Sequence, residues 1–116
     1  MKDFKKLIVW QKGFLLFIST HKFCRKLPSE EKYELGSQLR RCTFSIPANI
    51  AEGSAKATNP HKKNYLETSL GSAYEAETAF LGIIELYPVF KEECEIYLGI
   101  CTEVQKMLIS LINKLT

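Results

Sequence analysis

The residues with the strongest claim to chemistry lie between Gln38 and Gly53, in the run Gln-Leu-Arg-Arg-Cys-Thr-Phe-Ser-Ile-Pro-Ala-Asn-Ile-Ala-Glu-Gly. Arg40 and Arg41 stand side by side, Pro47 interrupts a helical pattern, and Asn49 and Glu52 follow it. Neighbouring residues on a helix point in different directions, so both arginines cannot be fully solvated if one lies against the core face. An arginine so placed needs a partner, and Glu52, Glu75 and Glu77 are candidates for an ion pair. The other use of such a pair is phosphate contact, which the planar guanidinium fork suits. Ser45 and Asn49 are spaced to satisfy backbone carbonyls freed by Pro47, or to form a polar contact between subunits.

Covalent and metal chemistry find little support. Di-iron bundles carry Glu-x-x-His pairs on two helices. Glu75 and Glu77 have no such histidine, and His21 and His61 lie elsewhere. His-Glu-x-x-His, a phosphate-binding glycine loop, a nucleophile elbow and a dinucleotide fingerprint are all missing. The cysteines, Cys24, Cys42, Cys94 and Cys101, show no Cys-x-x-Cys spacing. Cys94 and Cys101 fall near one face of a helix and would form a zinc site if Cys24 and Cys42 converged on them. The plainer reading is four small core residues with free thiols in a reducing cytoplasm. No catalytic residue, metal, cofactor or small-molecule substrate is therefore expected.

The elements that must position these residues are helices. Leu7, Trp10, Phe14, Phe17, His21 and Cys24 repeat at spacings of three and four, which predicts a first helix from about Phe4 or Lys6 to Lys26 with that face inward. On it, His21 reads as a core or interface histidine, and Trp10 and Gln11 as packing and capping residues. Leu15, Leu16 and Ile18 add apolar side chains on other faces, so this helix needs more than one neighbour. Leu27-Pro28-Ser29 is a break, with Ser29 the expected N-cap of a second helix. Leu35, Leu39, Cys42, Ile46 and Ile50 point inward on that helix, and Gln38, Arg41, Ser45, Asn49 and Glu52 face solvent or a partner. Pro47 predicts either a kinked continuous helix or a restart, and period and length favour the kink. Asn59-Pro60 opens a third helix to about Tyr87, with Asn59 as cap and Leu66, Ser69 or Leu70, Ala73, Phe80 and Ile84 inward. Its small residues Gly71, Ser72, Ala76 and Ala79 allow close helix approach. A fourth helix from about Lys91 to Lys114 places Tyr97, Cys101, Val104, Leu108, Leu111 and Leu115 on one stripe. The expected fold is all-α: one domain over residues 1–116, an antiparallel up-down-up-down four-helix bundle kinked near Pro47. The longest purely apolar run, Phe14 to Ile18, is far too short to span a bilayer, and no secretory signal is read, so no membrane association is expected.

Charge is distributed unevenly. Through Lys63 there are 13 Lys and Arg against 5 Asp and Glu, and from Asn64 onward 3 against 8, although the whole chain carries only +3. In the up-down-up-down topology one end of the bundle gathers Lys2, Lys5, Lys6, Lys12, Lys56, His61, Lys62, Lys63 and Lys114, opposed by Asp3, Glu52 and Glu67. The far end mixes signs. A strongly basic end suits a polyanionic partner.

Several of these residues form a wider pattern: Val9-Trp10-Gln11, Gln38-Leu39-Arg40-Arg41, Ser45-Ile46-Pro47-Ala48-Asn49-Ile50-Ala51-Glu52-Gly53, and Leu70-Gly71-Ser72 with Glu75-Ala76-Glu77-Thr78. Together they resemble the bacterial four-helix bundle family of 23S ribosomal RNA intervening-sequence proteins, from Trp10 to about Leu111. The resemblance makes Trp10, Gln38, Ser45, Pro47, Asn49, Glu52, Gly53, Glu75 and Glu77 structural motif residues. Lys56 stands where that family often has arginine, which keeps the charge and loses the bidentate geometry. The resemblance implies a small cytoplasmic bundle, often a ring-like homopentamer, with no enzymatic activity. It also implies similarity to the accessory variability protein of diversity-generating retroelements, a pentameric bundle that binds nucleic acid and a reverse transcriptase. The leading expectation is a non-catalytic, oligomeric bundle that binds RNA or DNA through Arg40, Arg41, Lys56, Lys62, Lys63, Lys5 and Lys6. The rival is a protein-interaction or assembly scaffold that binds no nucleic acid.

Overall fold

The computed structural model of the protein describes residues 3–116. Among these residues it contains helices and no strand. Helix α1 spans Ile8–Phe23 and is flanked by the 3-10 turns Phe4–Lys6 and Cys24–Lys26. A single turn, α2 (Ser29–Lys32), precedes α3 (Leu35–Ser54), α4 (Asn59–Leu86) and α5 (Lys91–Lys114). Helix α3 packs on α1 and α4, and α5 closes the square against α4 and α1. The described chain measures 44 × 20 × 20 Å. Leu7, Ser54, Lys62 and Lys114 meet at one end. Phe23, Phe90 and Tyr97 pack together at the other. The long helices therefore alternate in direction, as expected of a four-helix bundle.

Helices α3 and α5 bury most of the stripes that their periodicity predicts, with Leu35, Leu111 and Leu115 only half-buried. Leu39, Cys42, Ile46 and Ile50 are buried on α3, and Cys94, Tyr97, Cys101, Val104 and Leu108 on α5. Truncating a fully enclosed member such as Phe80 or Leu39 to alanine should cost about 3–5 kcal/mol. Helix α3 runs unbroken through Pro47, so the continuous form prevails over the restart.

Helix α1 is a correction. Its buried face is Val9, Gly13, Leu16, Thr20 and Phe23. Phe14 is 42% exposed, His21 is exposed, and Trp10 and Phe17 are only half-buried. The two stripes have the same three-and-four spacing and lie about 100° apart, one residue's rotation. Bulk favours the aromatic stripe, but close packing favours the other. A Cβ on Gly13 would sit 3.0 Å from Ile46 Cγ2 and 3.7 Å from Pro47 Cδ. Glycine lets α3 approach with its proline ring against α1, and phenylalanines on that face would hold it away.

Three smaller expectations also shift. Ser29 is the first helical residue of α2, not its cap, and the chain bends at Glu34 before α3 begins. That bend tucks Gly36 beneath the Glu31 carbonyl and beside Leu27. The cap of α4 is Thr58, whose Oγ1 accepts from the His61 N–H at 3.4 Å, so Asn59 opens the helix and Pro60 follows. On α4, Ser69, Ala73 and Ala76 make the close approach, while Gly71 faces open space.

The end away from Lys62 is clamped by polar contacts. Lys26 Nζ lies 2.9 Å from Glu93 Oε1, Tyr97 donates to Glu93, and the Tyr87 hydroxyl donates to Glu31 at 2.8 Å. Burial alone would raise the Glu93 carboxyl, but the bonds from Tyr97 and Lys26 outweigh it and hold it below its ordinary 4.5. Burial, followed by the bond to Glu93, pushes the Tyr97 hydroxyl well up.

Two predictions follow from this packing. Gly99→Ala, in open space on α5, should gain about 0.5–1 kcal/mol of helix propensity. Gly13→Ala should lose about 1 kcal/mol net, because overpacking against Ile46 exceeds the same gain. Urea unfolding of the two variants checks the order, and equal gains would refute the close approach. For Glu93, a carboxyl depressed in the folded state contributes stability above its unfolded pKa and loses it as pH falls through the folded value. Glu93→Gln should therefore cost about 0.5–1 kcal/mol at pH 7, a difference that shrinks as the pH falls below about 4.5. Parallel denaturation at pH 7 and pH 3 measures it.

Candidate functional site

The basic end is built from the start of α1, the end of α3, the start of α4 and the end of α5. Lys5 and Lys6 are exposed in the turn just before Leu7. Leu7 itself lines a cleft together with Ser54, Lys62 and Lys114. Lys62 Nζ donates to the Ser54 carbonyl at 3.4 Å, which ties α4 to the end of α3. Lys56 lies in the intervening loop with its ammonium 4.9 Å from the Tyr65 ring centroid, a cation–π contact. Lys63 is half-buried in the first turn of α4. The topology thus gathers five of the seven candidate residues for nucleic acid. Lys12 is withdrawn from this group by an ion pair to Glu103 on α5, at 2.9 Å. Lys2 lies outside the described residues.

Arg40 and Arg41 lie elsewhere. They sit about 20 Å along α3 from Ser54, given a rise of 1.5 Å per residue. Arg40 Nη2 donates to the Lys32 carbonyl at 3.0 Å, and so serves the C-terminal end of α2, where helical donors run out. Arg41 is exposed. The expected ion pair to Glu52, Glu75 or Glu77 is not made: among the described residues the ion pairs are Lys12–Glu103 and Lys26–Glu93. The single turn formed by α2 supplies a carbonyl partner that helix periodicity could not reveal.

The motif residues gather where α3 meets α4. Asn49 Nδ2 donates to both the carbonyl and the hydroxyl of Ser45 at 2.8 Å, and the Ser72 hydroxyl donates to Ser45 Oγ at 2.7 Å. Asn49 thus serves Ser45, two residues beyond the Thr43 carbonyl that Pro47 deprives of its donor. Ser69 donates to the Ile46 carbonyl at 2.9 Å, and Gly53 approaches α4 so closely that a Cβ would meet Tyr65 Cβ at 3.2 Å. Gln38, Glu52 and Glu75 are exposed beside this seam. Glu77 accepts from Gln105 Nε2 at 2.7 Å across to α5. Gln105 and Ser72 were not among the candidate residues, although Ser69 and Ser72, three apart on α4, share a face there.

On the opposite flank, the α1 aromatics form a surface stripe. Trp10 stacks on Phe14 at 4.9 Å, and Phe17 meets Phe44 of α3 edge-on at 5.4 Å. With Pro47 and Ala48 they border a shallow apolar groove. Trp10 and Gln11 keep their expected packing and capping roles, since Gln11 Nε2 donates to the Lys5 carbonyl at 2.9 Å. Of the two readings of His21, core and interface, the core one is excluded: the residue is exposed at the end of this stripe, 6.1 Å from the Phe17 ring centroid.

The thiols are core residues, as expected. Burial pushes Cys42 up to about 12, with the Glu75 charge adding to the effect, and pushes Cys94 and Cys101 up to about 11. Burial also raises Cys24, against the pull of Arg40. Thiols held protonated are poor nucleophiles. No group of three or more metal-ligating side chains occurs among the described residues, and none of the described helices is long and apolar enough to cross a membrane.

Fold and motif placement together define a four-helix bundle with a polar α3–α4 seam and lysines gathered at one end. Residues 5–110 match the family described as 23S rRNA-intervening sequence protein, and the chain belongs to that family. It is also similar to a crystallised protein of unknown function from the S23 ribosomal protein family of Bacteroides thetaiotaomicron. The two share 27% identity with a TM-score of 0.84, over 90% of this chain and 98% of that one. No curated protein matches the chain.

The thiol environments give a direct prediction. In the native protein at pH 8 all four cysteines should react with a disulfide reagent at least about a hundredfold more slowly than in guanidinium, where each should react at once. One fast native thiol would contradict the burial described.

Proposed function

We propose that this chain is a non-catalytic module that binds RNA or DNA through the lysines at one end of its bundle, and that it works as a homo-oligomer in the cytoplasm. The observation that carries the reading is the meeting of Lys5, Lys6, Lys56, Lys62 and Lys63 around the end that Lys114 also borders. In sequence they form two groups, Lys5–Lys6 and Lys56–Lys63, that lie far apart. Polyanion affinity depends on many cations facing one strand, because each neutralised phosphate releases counterions. The ring-like pentamer implied by the family resemblance would multiply such a surface. Arg40 and Arg41 form a separate group and stand outside it.

A second reading is an assembly scaffold without nucleic-acid binding. It is favoured by the aromatic stripe of α1 and the neighbouring ring on α3, where Phe14 is 42% and Phe44 54% exposed. On that reading the α3–α4 seam and the stripe serve folding and subunit assembly alone.

The test is fluorescence anisotropy with labelled RNA and duplex DNA across a salt series, run beside light scattering on a sizing column. Contact with five phosphates gives a slope of log affinity against log salt of about −4.5 on duplex DNA. The double variant Lys62→Glu/Lys63→Glu should flatten that slope by about 2 and leave the oligomer intact. Arg41→Gln should leave the slope unchanged. Affinity no better than millimolar at low salt rules out nucleic-acid binding. In that case loss of the oligomer in Phe14→Ser or Asn49→Ala, with Lys62→Glu/Lys63→Glu silent, supports the scaffold.

A further inference from the structure

The lysine end is not flat. The ends of the four long helices border an open cleft there of about 420 Å³, within the usual range for small-ligand sites. Its lining is largely aliphatic: Leu7, Ile50, Leu66, Leu111 and Leu115. Among the described residues the cations in its lining are Lys62 and Lys114, and no carboxylate lines it. Neither lysine belongs to the ion pairs found among the described residues. Lys62 spends one ammonium donor on the Ser54 carbonyl, and an ammonium has three. Two helix N-termini and two C-termini meet at this end, so their partial charges oppose one another and the lysines decide the sign.

This combination selects against most polar ligands. A nucleobase needs an aromatic face to stack on and polar side chains to pair with its edge. The cleft offers no aromatic face among the described residues, and its polar side chains are the two lysines and Ser54. A free phosphate would satisfy the lysines and leave the leucines wet. A cation would meet like charge. What satisfies both parts at once is a flexible apolar tail carrying one negative head.

We propose that this cleft is a binding site for a single-chain anionic amphiphile, an acyl carboxylate, with its tail against Ile50, Leu66 and Leu111 and its head between Lys62 and Lys114. The cleft shares Lys62 with the proposed nucleic-acid surface, but the ligands that test it contain no nucleic acid, so either proposal can fail without the other.

The experiment is calorimetric titration of the full chain with octanoate, decanoate and dodecanoate below their micelle concentrations, with amide chemical-shift mapping of the bound state. Affinity should rise about three- to fourfold for each added methylene until the cleft is full, as tail burial requires. The shifts should fall on Leu7, Ile50, Leu66 and Leu111. Decyltrimethylammonium, with the same tail and the opposite charge, should bind at least about tenfold more weakly than decanoate. Lys62→Gln/Lys114→Gln should erase that preference while leaving the affinity for neutral decanol unchanged. Leu111→Phe, which fills the cleft, should abolish binding of all three tails; because it alters the core, the lysine variant is read independently of it. Equal affinity for the cationic and anionic probes, shifts confined to the Trp10–Phe44 groove, or no binding by dodecanoate would each overturn the proposal.

Discussion

The contact between α1 and α3 at Gly13 governs the rest of the bundle. A missing side chain there allows Ile46 and the Pro47 ring to press against the α1 backbone. That one approach sets the rotation of α1 about its own axis. Val9, Leu16 and Phe23 then enter the core, and Trp10, Phe14 and Phe17 are turned to its edge. A proline inside a helix costs a hydrogen bond and crowds the turn before it. Here the ring also fills space that glycine leaves, so two individually unfavourable choices support each other.

The two ends of the bundle differ in kind. One is shut by packed rings and by the Lys26–Glu93–Tyr97 cluster, in which every charge has a partner. The other is open, aliphatic inside and cationic at its rim. A bundle needs only one well-packed middle to be stable. The open end is where the chain departs from what stability alone would select, and both proposed ligands meet it there.

The small polar residues where α3 meets α4 serve the fold more than the surface. Asn49 bonds Ser45 within α3, and Ser69 and Ser72 reach the Ile46 carbonyl and Ser45 Oγ across a close α3–α4 seam. The Cys101 thiol likewise donates to the Ala73 carbonyl at 3.1 Å. Small polar side chains suit this place because they occupy little volume and still satisfy buried acceptors. Glu52 and Gln38 remain exposed beside the seam, which leaves that face available to a second subunit.

Much of this architecture was legible from periodicity and punctuation. Stripes at three and four, Pro60 at the head of a helix and Pro88 after one specify four long helices, and their number and short links specify alternating directions. That topology in turn brings Lys5 and Lys6 to Lys62, because connectivity alone decides which helix ends are neighbours. Three things were not legible, and each depends on what lies opposite. Helix α1 carries two stripes of equal period, and its own residues cannot say which is inner; Ile46 and Pro47 decide. Arg40 has carboxylates within its range of candidates, yet it bonds the Lys32 carbonyl, which is available only because the chain bends at Glu34. Leu7, Ile50, Leu66 and Leu111 each read as ordinary core positions, and only the meeting of four helix ends places them around a cleft. Local spacing records which faces avoid water, whereas the depth at which two helices meet is a property of both.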